Sequence, residues 1–170
     1  MTDVRFLAPL AALALIAASP ARTATPPAGI AVFGFELEDY SAGSASAGEI
    51  APADARELVQ VTDEVGRLLA GSGRYRLVDT GAAGPPAAQP LHDCGGCDAG
   101  LALKLGADQS LVGVVRRISR TEYLVRLQIR DARSGAVLTD ANTGLRMGTL
   151  DSWSKGAARL VRDRVLGQPD

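Results

Sequence analysis

Gly29-Ile30-Ala31-Val32-Phe33-Gly34-Phe35 is the stretch that most limits the fold. A strand with one wet face alternates apolar and polar side chains, and this run has no polar side chain at all. It reads as a central strand buried on both faces, which a sheet supplies only if helices cover it. Aromatic residues make up 4% of the 170, so the core is built from Ala, Val, Leu and Ile. At 46% hydrophobic and 22% charged residues, the chain is globular rather than disordered, and its length suits one domain.

Upstream, Phe6 to Ala18 are all apolar or proline. A bilayer-spanning helix needs about 20 such residues. Arg5 precedes the run, and Ser19-Pro20-Ala21 places small residues at the −3 and −1 positions of a cleavage site. Residues 1–21 therefore read as a secretory signal peptide, with no stable membrane span after its removal. No cysteine stands near the cleavage site to carry a lipid. Of the 18 Lys+Arg, only Lys104 and Lys155 are lysine, a bias typical of GC-rich bacterial genomes, and the expected destination is the periplasm. Residues 22–28, with Pro26-Pro27, read as a disordered lead-in to a single domain over 29–166.

Within that domain the acidic and then Ser/Gly/Ala-rich segment Glu36 to Ala51 reads as a long loop. A helix follows from about Ala53 to Ala70, with Leu58, Val61, Val65, Leu68 and Leu69 on one stripe. Tyr75 to Asp79 is a short strand, and Asp98 caps a short helix reaching about Leu105. Three strands come next. In Gln109 to Ile118, Val112, Val114 and Ile118 share a face. In Glu122 to Arg130, Tyr123, Val125, Leu127 and Ile129 alternate with Arg126, Gln128 and Arg130. Asp131 to Gly135 suits a hairpin turn with glycine in the left-handed position, and Ala136 to Arg146 closes the meander. A last helix spans about Asp151 to Leu166, with Trp153, Ala157, Leu160, Val161 and Arg164 on one side. The order β-α-β-α-β-β-β-α predicts an α/β (α+β) fold: a single mixed sheet, a carboxyl-terminal antiparallel meander and a packed terminal helix.

Several of these segments together resemble a known group. They are Tyr75-Arg76-Leu77-Val78-Asp79, then Leu105-Gly106-Ala107-Asp108 entering Val112-Gly113-Val114, then Leu127-Gln128-Ile129-Arg130-Asp131 through Ser134-Gly135-Ala136-Val137. The set resembles the amino-terminal α/β domain of TolB and the CsgG-like periplasmic domains. It is more similar still to a family of small secreted proteobacterial proteins of unknown function. The resemblance implies a domain that works by protein–protein contact in the envelope and is not an enzyme; nothing in the chain matches the TolB propeller.

Chemistry concentrates in His92-Asp93-Cys94-Gly95-Gly96-Cys97-Asp98. Four readings are open. Cys94 and Cys97 form a structural disulfide, which an oxidising compartment favours and two glycines allow to close. They form a redox dithiol ahead of a helix, a position that lowers a thiol pKa, although Asp93 and Asp98 oppose this. With His92 and Asp93 they ligate zinc or copper. Last, they attach haem, although Asp98 stands where that motif wants histidine.

Elsewhere, Glu36, Glu38 and Asp39 follow the first strand, where open sheets bind ligands, and carboxylates there can do acid–base work or hold calcium. The simpler reading is a solvated acidic loop. Arg116, Arg117, Arg120, Arg126, Arg130 and Arg133 concentrate positive charge on the meander. Arg126 and Arg130 share a face, which makes them either a solvated outer surface or a docking site for an acidic partner.

No phosphate loop, dinucleotide fingerprint or Gly-x-Ser-x-Gly elbow occurs, and no cofactor is implied. A net charge of −1 argues against nucleic acid. One histidine excludes any mechanism that needs two. The leading expectation is a non-enzymatic periplasmic accessory domain that binds a protein partner. Behind it stand a thiol-disulfide or metal-handling protein centred on Cys94 and Cys97, and an enzyme using the acidic segment and His92.

Overall fold

The computed structural model describes residues 26–41, 50–83, 89–149 and 152–167. The signal segment 1–21 lies outside the described residues. Strands β1 (Ala28–Val32), β2 (Glu36–Asp39), β3 (Tyr75–Val78), β4 (Gln109–Arg117), β5 (Glu122–Asp131), β6 (Val137–Asn142) and β7 (Arg146–Met147) form one sheet. Its order is β3-β1-β4-β5-β6, with β2 on β4 and β7 on β5. The pairs β1–β3, β1–β4 and β2–β4 are parallel, whereas β4–β5, β5–β6 and β5–β7 are antiparallel. This is the mixed sheet with a carboxyl-terminal meander that the sequence predicts.

Helices α1 (Pro52–Gly71) and α3 (Ser152–Leu160) cover one face, and α2 (Cys97–Lys104) covers part of the other. The larger core lies under α1 and α3, where Leu58, Val61, Val65 and Leu69 meet Ile30, Leu111, Val125 and Leu127. The smaller one, under α2, joins Ala31, Phe33 and Val112 to Ala102, Ala107 and Ala132. Burial of β1 and β4 on both faces is what the apolar run requires.

Five local expectations are corrected. The apolar run is not one strand. Val32 pairs with Leu111 but Glu36 pairs with Val114, so four residues of one strand span three of its neighbour. The extra residue makes a bulge-like kink at Phe33–Phe35 that sends Phe33 into the smaller core and Phe35 into the larger. Second, Glu36 to Asp39 is strand β2 and not loop, because the charges of β4 meet its own in register. Third, Ile118 lies past the end of β4 and is exposed, so only Val112 and Val114 of the expected three are buried on that face. Fourth, Ala136 to Arg146 is two strands, interrupted where Gly144 takes a φ of +66°.

Fifth, α3 continues into a π turn over Val161–Val165. There the Leu166 amide bonds back five residues to Val161. The wider turn advances the buried stripe by one position, so Val165 faces the core and Arg164 faces solvent.

Candidate functional site

The site grows from the register of β2 on β4. Parallel pairing sets Glu38 beside Arg116 and Asp39 beside Arg117. Neighbouring residues of a strand point to opposite faces, so the two acid–arginine pairs lie on opposite sides of the sheet. On the α1/α3 side, Arg117 bonds Asp39 at 2.9 Å and Asp54 at 2.5 Å, and its guanidinium lies 5.0 Å from the Trp153 ring centroid. Asp39 also accepts the Ser41 hydroxyl and amide. Burial pushes the Asp39 carboxyl up, but the Ser41 bonds and the Arg117 charge outweigh it and hold it below the ordinary range.

On the α2 side, Arg116 donates to Glu38. The 3-10 turn Leu91–Asp93 brings His92 onto the same two acids of β2. The Leu91 and His92 amides donate to the Glu36 carboxylate at 2.8 and 3.0 Å. The His92 ring bridges the pair, with Nδ1 on Glu36 and Nε2 on Glu38 at 2.7 Å. Burial pushes the Glu38 carboxyl up, yet the bonds and charges of Arg116 and His92 leave it below the ordinary carboxylate value.

The acidic stretch and the cysteine segment, separate in sequence, thus meet through His92. Cys94 and Cys97 are joined at an S–S distance of 1.98 Å. Asp93 is exposed, and the carboxylates that hold His92 belong to β2. Among the described residues no three His, Cys, Asp or Glu side chains are grouped so as to hold a metal ion.

Asp98 is not the cap of α2. Gly96 occupies that position at a φ of +106°, and Asp98 is 1% exposed. Its carboxylate accepts the Ser110 hydroxyl at 2.5 Å and lies 3.6 Å from Arg130 Nε. Burying a carboxylate is tolerable only with such partners. Arg130 is therefore turned inward, and it also donates to the Gly135 carbonyl. Arg126, on the same strand face, makes a two-pronged bond with Asp140 at 2.9 and 2.5 Å. Hydrogen bonding by Arg126 lowers the Asp140 carboxyl below its ordinary value.

Four of the six meander arginines are neutralised within the fold; Arg120 and Arg133 stand exposed at the turns. The Asp54, Trp153 and Ser110 contributions were missed from sequence. The one available signal was the adjacent acid doublet Glu38-Asp39 matching the doublet Arg116-Arg117.

A seven-stranded mixed sheet, parallel at its amino-terminal half and braced by internal ion pairs, defines the class: a small α/β domain with a carboxyl-terminal meander. The chain belongs to the DUF3280 family, described as "protein of unknown function (DUF2380)", which matches residues 28–165. The family of unknown function read from the residues is thereby met. No curated protein matches the chain in sequence.

The chain is similar to several solved structures. The PelC dodecamer from Paraburkholderia phytofirmans is 17% identical with a TM-score of 0.51, covering 86% of this chain and 92% of that one. TolB from Acinetobacter baumannii is 14% identical with a TM-score of 0.49; 85% of this chain matches 29% of TolB. The LpoB C-terminal domain from Salmonella enterica is 15% identical with a TM-score of 0.49, covering 75% of this chain and 87% of that domain. At 17% identity the likeness to PelC is one of fold alone.

Proposed function

We propose that the protein is a periplasmic accessory domain that acts by contact with a protein partner and performs no catalysis of its own. The observation that carries this reading is that its reactive-looking side chains are spent on one another. Both His92 ring nitrogens face carboxylates, Glu38 also holds Arg116, and Arg117 is shared between Asp39 and Asp54. A general base needs a nitrogen or oxygen open to substrate, and both ring nitrogens of the one histidine are taken by carboxylates. It braces β2 against β4 and the 3-10 turn. The signal-like segment 1–21 supports the envelope location.

The contact surface in this reading is the part of the sheet face that α2 leaves uncovered among the described residues. The Arg126–Asp140 pair lies on it, about 40% exposed on each side, and Met147, paired with Glu122 of the same strand, adds a side chain 77% exposed. Because Arg130 is turned inward, docking rests on Arg126 and not on Arg130. Affinity capture from the native envelope fraction tests this. Arg126→Glu puts an acid where the acidic partner meets the arginine and weakens recovery of the partner, whereas Arg126→Lys keeps the positive charge and the recovery. Equal recovery by all three proteins overturns the assignment of this face.

A further inference from the structure

The Cys94–Cys97 bond closes the joint between two anchored segments. Upstream, the 3-10 turn Leu91–Asp93 is fastened to β2 by the Leu91 and His92 amides and by the His92 ring. Downstream, α2 is fastened to β4 and β5 by Asp98, through Ser110 and Arg130. Between the two cysteines lie only Gly95 and Gly96, both at positive φ, +71° and +106°. Glycine holds such angles without strain but also leaves them freely. The bond therefore does what the intervening backbone cannot: it fixes the direction in which the turn leaves α2. Closing so short a loop removes little chain entropy, so its effect is local. Cys97 is exposed and Cys94 half-buried, and Cys94 Sγ accepts the Cys97 amide at 3.1 Å.

We propose that this bond is a redox-operated latch, whose reduction releases the 3-10 turn and frees the Glu36 and Glu38 carboxylates from His92. The co-reactant is a dithiol, either small or carried by a disulfide oxidoreductase. Its thiolate attacks the accessible Cys97 Sγ. The S–S bond breaks, and its electron pair leaves on Cys94 Sγ, where the Cys97 N–H stabilises the thiolate. The reductant's second thiolate then attacks its own sulfur in the mixed disulfide and displaces Cys97. Two electrons and two protons pass in all: the protein gains two thiols and the reductant becomes a disulfide. Exposed disulfides in short loops are the ones open to such exchange.

Linkage makes the latch reciprocal: whatever the bond contributes to the His92 clamp, the clamp contributes to the bond. The proposal is independent of the contact reading above, and so is its test. The full chain and its His92→Gln and Glu36→Gln variants are equilibrated in dithiothreitol redox buffers, and the reduced fraction is read by thiol alkylation and mass. Both variants shift the equilibrium toward the dithiol, by about tenfold, a typical size for coupled sites. In the wild type, reduction raises amide exchange at Leu91 and His92 by a similar factor and leaves Leu127 and Ile129 in β5 unchanged. An equilibrium that neither variant moves, or unchanged exchange at Leu91 and His92 on reduction, overturns the latch. Glu36→Gln keeps the histidine and the side-chain volume, so the test survives if His92→Gln does not fold.

Discussion

Replacing Gly113 with alanine tests the kink that aims β2. The Phe35 ring lies where a side chain at 113 would start: a Cβ there would sit 2.2 Å from Phe35 Cε1 and 2.3 Å from Cζ. Phe35 is 5% exposed, and its amide is held by Thr62 Oγ1 at 2.9 Å, so it cannot step aside freely. Two effects oppose each other. Alanine in a strand interior is better than glycine by about 0.5–1 kcal/mol. Overpacking costs about 1–3 kcal/mol, and pushing Phe35 partly into water adds up to about 2 kcal/mol. The clash wins, for a net loss of about 3 kcal/mol, or roughly 10 °C in Tm for a domain of this size. Phe35→Ala alone costs about 3–5 kcal/mol. With the ring gone the three closest contacts of a Cβ at 113 are gone too, so Gly113→Ala in the Phe35→Ala background is neutral or stabilising. Urea unfolding of the four proteins gives the coupling directly. Additive losses in the double mutant, or a stabilised Gly113→Ala single mutant, refute the packing argument.

The acids of the site fix the pH dependence of stability. Glu38, Asp39 and Asp140 are all held below their ordinary values, so below about pH 4 the unfolded chain binds more protons than the folded one. Their contribution is complete above about pH 4, the ordinary carboxylate range, and is lost as pH falls through the depressed values. The urea midpoint therefore drops between pH 6 and pH 3, and drops less in Asp140→Asn. Replacing Cys94 and Cys97 together by serine costs only about 1–2 kcal/mol by thermal unfolding, because the loop is so short. Protein taken from the native envelope begins at or near Arg22 by amino-terminal sequencing.

Where burial and alternation coincide, the fold was legible. The period of two in Tyr123, Val125, Leu127 and Ile129 defines β5, and Leu58, Val61, Val65 and Leu69 define the inner face of α1. Strand β2 escaped because Glu-Leu-Glu-Asp carries one apolar side chain. It is a strand by virtue of Arg116 and Arg117, 78 residues away in sequence, and no local propensity reports such a partner. Asp98 looked like a cap because a carboxylate before a helix usually is one; its burial depends on Ser110 and Arg130 arriving from other strands. In the sequence His92 groups with the cysteines beside it. The structure gives it to Glu36 and Glu38, and only the tertiary fold brings those residues within reach.

Photo-crosslinking in the native host asks whether the protein acts by contact through the sheet face beside α2. A photoreactive amino acid replaces Gln128 or Met147 on that face, or Val59, which is 60% exposed on α1 on the opposite side of the sheet. Positions 128 and 147 give one discrete higher-mass adduct, and position 59 gives none. An adduct only from 59, or the same diffuse labelling from all three, contradicts action through that face.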